Sequence, residues 1–421
     1  MNTARKKPTP LPTKNAPAPP AKYRIGVIGL GARGECFARE LYAGTDRAEL
    51  FGLCDLDADR TRKFVDYCGL KGARTFNNLE EFLGQRDLDA VVITTPDFTH
   101  RDVAVAAMRA GKHIYLEKPI GRTAAECRDI LRAQRETGRT AFVGFNMRAS
   151  TAHERVKQVV DSGILGQVVH IEGLEQLKIS HSASFMRRFH RKHENTGGML
   201  NHKCSHDLDI MQWFIGHEHR VRRVACFAGL NVFVPKKAPA KYCHECPPDT
   251  WAACPYKDQA GFVFPVGGSS PIHHQKTATY GGDLCVYTDD KDTFDNWTVI
   301  LEWDHGVRGN FNLQLFQATG CRETRIFGEL GVLQLADGKL RTVLSRTGDE
   351  VVHRIPPPGK GGHGGADSKM LARFVAAMDQ GGSGDSGLAE GLAATLVAEK
   401  ALQSALTGKV QEIAPEEFGI S

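Results

Sequence analysis

Net charge is nearly absent from this chain: 54 Lys and Arg against 49 Asp and Glu leave +5 over 421 residues. Part of that excess sits at the start, where Arg5, Lys6, Lys7, Lys14 and Lys22 have no acidic partner, so the folded body is close to neutral. A concentrated basic surface and a reading motif are both missing, which argues against a nucleic-acid partner. Residues 1–21 contain no apolar stretch that could serve as a signal-peptide core or a membrane span. Rich in Pro, Ala, Lys and Thr, the segment 1–22 reads as a disordered leader, and the chain as cytoplasmic with no membrane partner. Without a secretory signal, the 11 cysteines are expected to be reduced thiols. Cys36, Cys54, Cys68, Cys127, Cys204, Cys226 and Cys321 are scattered and read as small buried apolar residues.

What is present is an ordinary globular composition, 41% hydrophobic and 24% charged, long enough for two or three domains. Residues 23–30 have the β-branched character of a buried parallel strand and run into Gly29-Leu-Gly31-Ala32-Arg33-Gly34, after which residues 35–42 read as a helix. Such glycines permit a tight turn and a close approach of the backbone to a pyrophosphate at the helix N-terminus. A second strand, 49–54, ends in Asp55, where an acid can accept hydrogen bonds from both adenosine-ribose hydroxyls. The carboxylate would repel a 2′-phosphate, and Leu56 and Asp57 supply no cation to offset it, so the expected cofactor is NAD rather than NADP. Further strands at 88–95 and 113–116 lead into Thr95-Pro96-Asp-Phe-Thr-His100 and Glu117-Lys118-Pro119. In a parallel sheet these segments line one crevice at the carboxyl ends of the strands, which makes Lys118 the first catalytic candidate.

These elements, with the strand at 141–146, Arg148, and Gly197-Gly198 leading to His206 and Asp209, resemble the glucose-fructose oxidoreductase, inositol dehydrogenase and rhizopine-catabolism (Gfo/Idh/MocA) family over about residues 23–407. The resemblance implies an α/β fold in two parts. An NAD-binding Rossmann domain, a doubly wound parallel sheet, would cover 23–147, and a substrate and oligomerisation domain with an open, mainly antiparallel sheet 148–365. Helices within 366–421 would pack back on both. The residues beyond 166 agree independently, since strand-like stretches at 167–172, 297–303, 307–315 and 324–327 recur with few crossing helices between them.

The resemblance also implies catalysis by Lys118 with His206, a base within reach of a hydroxyl proton and an ammonium on the same oxygen. This chain departs from the family where an aspartate usually stands four residues before that histidine: the position is His202, followed by Lys203. His202 and His206 share a helix face, so the sequence leaves open which one is the base. Upstream, Arg187, Arg188, His190 and Arg191 form a dense basic run. With Arg148 and Asp209, these residues are the substrate-lining candidates, and the arginines suggest an anionic group such as phosphate, sulfonate or carboxylate.

A second departure is Cys243-His-Glu-Cys246 with Cys254 and the more distant Cys285, readable as a structural zinc site or as reduced thiols within an insert at 243–285. The leading functional expectation is an NAD-dependent dehydrogenase or reductase working at a hydroxyl carbon of a sugar, sugar derivative or inositol, as a homo-oligomer. Two alternatives stay open. One is a redox-assisted glycosidase that oxidises carbon 3 transiently, eliminates the aglycone, adds water and returns the hydride, as would suit an anionic glycoside such as a sulfoquinovoside. The other is an NAD-binding sensor without turnover.

Overall fold

A computed structural model describes residues 22–257, 284–382 and 384–419. The expected leader, apart from Lys22, and residues 258–283 of the cysteine-containing insert lie outside the described residues.

The first sheet holds β1 (Tyr23–Ile28), β2 (Ala48–Cys54), β3 (Thr75–Phe76), β4 (Ala90–Ile93), β5 (His113–Leu116) and β6 (Ala141–Val143), in the order β3-β2-β1-β4-β5-β6. Every pairing in it is parallel. The order reverses between β1 and β4, so the crevice for a ligand opens at their carboxyl ends. Apolar runs such as Ala-Val-Val-Ile in β4 are wholly buried because helices cover both faces of the sheet. One cover is supplied from far along the chain. The helix Ala366–Gln380 sets Met370, Leu371, Phe374 and Val375 into the same core as Ile25, Val27, Phe37 and Tyr115.

The second sheet has nine strands: β7 (Val168–Lys178), β8 (Val221–Gly229), β9 (Asn296–Trp303), β10 (Arg308–Gln317), β11 (Cys321–Gly328), β12 (Gly331–Ala336), β13 (Lys339–Leu344), β14 (Glu350–His353) and β15 (Gln411–Glu412). Only β7 and β10 pair in parallel; the other pairings are antiparallel. Alternation sets the faces. Trp297, Val299, Leu301 and Trp303 of β9 are buried, whereas Ile300 points outward and is 51% exposed. On the inner face, the helices Met199–Ile215 and Leu388–Thr407 pack against one another and close the core.

The helix Met199–Ile215 carries the site. It starts from the Gly197-Gly198 turn and is fastened to the first domain by Asn201, whose Nδ2 donates to Gly121 O at 3.0 Å and to Thr196 O at 2.9 Å. Among the described residues no helix is long and apolar enough to cross a membrane. None of the 11 cysteines forms a disulfide among the described residues.

Candidate active site

At the carboxyl end of β1 the glycines occupy positions that a side chain could not share. Gly29 has φ +89° and a Cβ there would lie 2.8 Å from Thr95 N, while a Cβ on Gly34 would lie 2.1 Å from Gly29 O. Gly31 differs: a Cβ on it would meet nothing within 4 Å. The space over Gly31 is thus open at the start of the helix Ala32–Ala43, whose N-cap carries no side-chain hydrogen bond. An open cradle at an uncapped helix start fits a pyrophosphate. Asp55 stands beside it, its Oδ2 accepting from Leu30 N at 2.9 Å and its Oδ1 from Asp57 N at 3.0 Å. These residues therefore fit a dinucleotide.

Arg33 and His100, expected to bind the cofactor, are engaged with the protein itself. The Arg33 guanidinium bridges Glu117 (Nε to Oε1, 2.9 Å) and Asp367 (2.8 and 2.9 Å), tying the glycine turn to the β5 loop and to the helix Ala366–Gln380. His100 is 1% exposed, with Nδ1 2.7 Å from Pro119 O and Nε2 2.8 Å from Thr95 O. It staples the two crevice loops together and so positions Thr95, Pro96 and Lys118.

Lys118 and the histidines do converge. Lys118 Nζ donates to His202 O at 2.7 Å, and His202 Nδ1 lies 2.6 Å from Asp97 Oδ2, with the carboxylate as acceptor. The His202 ring is 4.4 Å from that of His190 and 5.2 Å from Phe185; His181 packs on Phe185 at 4.7 Å. His206 lies one turn on, edge to Phe145, with its Nδ1 buried and making no hydrogen bond among the described residues. Burial dominates the electrostatics. It brings Lys118 down to about 8, aided by the neighbouring Lys203 charge. His181 falls to about 3, His190 and His206 fall well below the ordinary histidine value, and His202 falls too, although Asp97 draws it back up. The imidazoles are therefore neutral near pH 7 and able to accept protons.

Several other expected residues are placed differently. Arg148 and Asp209 do not line the crevice: Arg148 is 0% exposed and Asp209 2%, and Arg148 Nε donates to Asp209 Oδ2 at 2.8 Å. A cation so far from water needs its counter-charge alongside, and the two satisfy each other. Arg187 is buried on the carbonyls of Leu284 (2.9 Å) and Tyr256 (3.1 Å), and Arg191 is held by Asp290 at 2.8 Å, so neither offers a free cation to an anionic substrate. Arg188 lies over the Phe189 ring. Lys203 is paired with Glu175 at 3.0 Å, within a buried network in which Arg322 bonds both Glu175 and Asp207 at 2.8 Å.

The four cysteines expected as zinc ligands are brought into one neighbourhood, Cys246 lying near Cys254 and Cys285. Cys243, Cys254 and Cys285 gather around the Arg187 guanidinium, with Cys243 Sγ 3.7 Å from it. Among the described residues, however, the cysteines form no set of three with donor atoms within 4.8 Å of one another, and a cation already sits beside them.

Asp97 escaped the sequence reading as a functional residue, although it stands in the Thr95-Pro96-Asp97 segment at the end of β4, where ligands are expected. His181 had no such signal; only the fold brings it near His202.

Two family models match the chain. One, the oxidoreductase family with an NAD-binding Rossmann fold, covers residues 23–145; the other, its C-terminal α/β domain, covers 157–413. Inositol 2-dehydrogenase of Salmonella paratyphi B is 27% identical over 202 residues, which is 48% of this chain and 57% of that protein. The chain thus spans little more than half the length of this curated relative. Among solved structures, myo-inositol 2-dehydrogenase of Lactobacillus plantarum aligns over 93% of this chain and 100% of its own, with TM-score 0.68 and 20% identity. A levoglucosan dehydrogenase in complex with NADH aligns over 93% and 99%, with TM-score 0.71 and 17% identity. At such identities these structures speak for the fold. By the two matched models and the architecture they describe, this chain belongs to the Gfo/Idh/MocA oxidoreductase family.

Proposed function

We propose that the protein is an NAD-dependent dehydrogenase or reductase that works at a secondary hydroxyl carbon of a sugar or cyclitol. The observation that carries this reading is the buried basic group of Lys118, His202 and His206 on the crevice whose other wall is the open Gly31 cradle. Gly29, Gly31, Ala32, Gly34, Asp55, Thr95 and Pro96 would hold the dinucleotide, with Glu117 fixed behind them by Arg33. When bound, the nicotinamide supplies the hydride acceptor or donor.

The protein's own task is to move the hydroxyl proton. Asp97 holds His202 by Nδ1, which leaves Nε2 as the basic nitrogen, so His202 is the general base in this reading. Lys118 is kept on the same helix turn by its bond to His202 O and stabilises negative charge on the reacting oxygen. The unpartnered Nδ1 of His206 hydrogen-bonds a substrate hydroxyl. The engagement of Arg187 and Arg191 with the protein weighs towards neutral polyols over anionic ones. The outer face of the second sheet, where Phe227 and Ile300 are 76% and 51% exposed, supports a homo-oligomer.

The test is a panel of neutral, phosphorylated and sulfonated sugars, inositols and their glycosides, with NADH absorbance and aglycone release followed together. Stoichiometric NADH from a free polyol is the expected result. NAD-dependent aglycone release without net NADH would replace this reading by a redox glycosidase, and NAD binding without turnover on any member by a sensor.

A further inference from the structure

Against the Arg33 side of the glycine turn lies a segment from far along the chain. Pro356-Pro-Pro358 leads into Gly359-Lys-Gly-Gly-His363-Gly-Gly365, at the start of the helix Ala366–Gln380. Among the described residues, two positions other than glycine have positive φ, Asp337 at +50° and His363 at +49°. Asp337 is explained by its place, since Asp337-Gly338 is the two-residue turn joining β12 to β13, whose twist demands such a backbone. His363 is in no hairpin. Gly361, Gly362 and Gly364 surround it, and glycine takes this conformation without strain, yet position 363 keeps an imidazole. Backbone strain retained for one side chain points to a use for that side chain.

One end of the ring is anchored. Nδ1 lies 2.8 Å from Asp367 Oδ2 and 3.2 Å from Arg33 Nη1, and the Asp367 side chain is 2% exposed. Burial raises Asp367, but hydrogen bonds from His363 and Arg33 outweigh it and hold the group well below the usual carboxylate range, so it accepts. Nδ1 therefore carries the proton and Nε2 the lone pair. Every hydrogen bond of the ring among the described residues is made by Nδ1, and the side chain is 44% exposed, which leaves Nε2 open. Along the crevice, Asp55 marks the adenosine end and the space over Gly31 the pyrophosphate. Arg33 runs on from there to Glu117, next to Lys118, and so towards the end where hydride moves. His206, lowered by burial first and then by Lys118, Lys203 and Arg322, is lowered last by His363, so the ring reaches that same end.

We propose that His363 binds the nicotinamide half of the dinucleotide, its Nε2 accepting a hydrogen bond from the ribose hydroxyl or the carboxamide N–H of that half. The proposal deepens the reading above and rests on its dinucleotide site. Asp367 and Arg33 are then positioning residues: they fix the ring and tie it to the glycine turn, so the cofactor cradle is completed by a residue 330 positions further on.

The experiment is calorimetric titration of the full chain, stripped of bound nucleotide, with NAD, ADP-ribose and ADP. ADP reaches only the adenosine and pyrophosphate sites. His363→Gly removes the ring and accepts the backbone, so it should weaken NAD by about fivefold to tenfold and leave ADP within about twofold of the wild type. His363→Asn, which also tolerates that backbone, should do the same. A loss shared by ADP-ribose assigns the ribose hydroxyl, and a loss confined to NAD assigns the carboxamide. Unchanged NAD affinity in both variants, or NAD and ADP weakened equally, overturns the proposal; equal losses would mean that the ring serves only to hold Arg33. A wild type that binds none of the three would instead remove the dinucleotide site itself, and this inference with it.

Discussion

Asp97 Oδ2 and His202 Nδ1 are 2.6 Å apart, one contributed by the loop after β4 and the other by the helix Met199–Ile215. The carboxylate that the family usually carries on the helix is thus met from the opposite wall of the crevice, with the imidazole in its place. If this dyad sets the base, Asp97→Asn should lower kcat by about a hundredfold or more with little change in NAD affinity. The pH profile gives a sharper check. Burial lowers His202 and Asp97 opposes that fall, so removing the charge should move the acid limb of kcat/KM to still lower pH while the plateau drops. A plateau that stays within twofold of the wild type would pass the role of base to His206.

Lys118 should titrate within reach of an ordinary assay. Its ammonium is brought down to about 8 by burial and then by the Lys203 charge, so activity that needs the cation should decline as pH rises through about 8. Lys203→Gln removes one of the two causes. The alkaline limb should then move to higher pH, as read from kcat/KM between pH 7 and 10.

Asp55 should decide between the two dinucleotides. Asp55→Ser with Leu56→Arg removes the repulsion of a 2′-phosphate and adds a cation, which should weaken NAD by about tenfold and bring NADP to comparable kcat/KM. Titration of both cofactors by fluorescence checks binding apart from turnover.

The glycine turn, the acid at Asp55 and the Glu117-Lys118 segment were legible because each is local: spacing along one strand–turn–helix unit fixes the place of its residues in the crevice. Four of the nine strands of the second sheet, β7, β9, β10 and β11, could be read from the sequence, with ends off by up to six residues, whereas β8 and β12 to β15 were not. Partnerships across long separations could not be read. Arg148 looks like a cation beside the site, yet its charge is matched by Asp209 on another element, and Arg191 is matched by Asp290 across the cysteine-containing insert. Sequence displays the charge of such residues and hides what neutralises it. For the same reason Asp97 read as part of a loop motif until His202 was set against it.

The Arg148–Asp209 pair should therefore act on stability. Cutting Arg148 to Ala strands a buried carboxylate and should destabilise the fold by about 3–5 kcal/mol, measured by denaturant unfolding. KM for the polyol should stay near the wild-type value at temperatures where the variant is folded. A raised KM without loss of stability would restore Arg148 to the substrate wall.

A last prediction concerns acid stability. His153 is 8% exposed and lies parallel to Phe214, with Nδ1 3.1 Å from Ser150 Oγ and Nε2 buried without a hydrogen bond among the described residues. Burial, then the nearby Arg322 charge, brings it from the ordinary histidine value of about 6.5 down to about 4. Because the folded value lies below the unfolded one, the unfolded chain binds more protons between these limits. The stabilisation held above pH 6.5 is therefore lost progressively as pH falls towards 4, and is constant below that. At about 1.4 kcal/mol for each pH unit, the loss from this residue is on the order of 3 kcal/mol. His153→Gln carries no titrating group, so its unfolding free energy should fall less steeply over that window, by roughly this amount. Parallel curves for wild type and variant across pH 4–6.5 would mean that His153 charges freely in the native state and is more open to water than its packing against Phe214 implies.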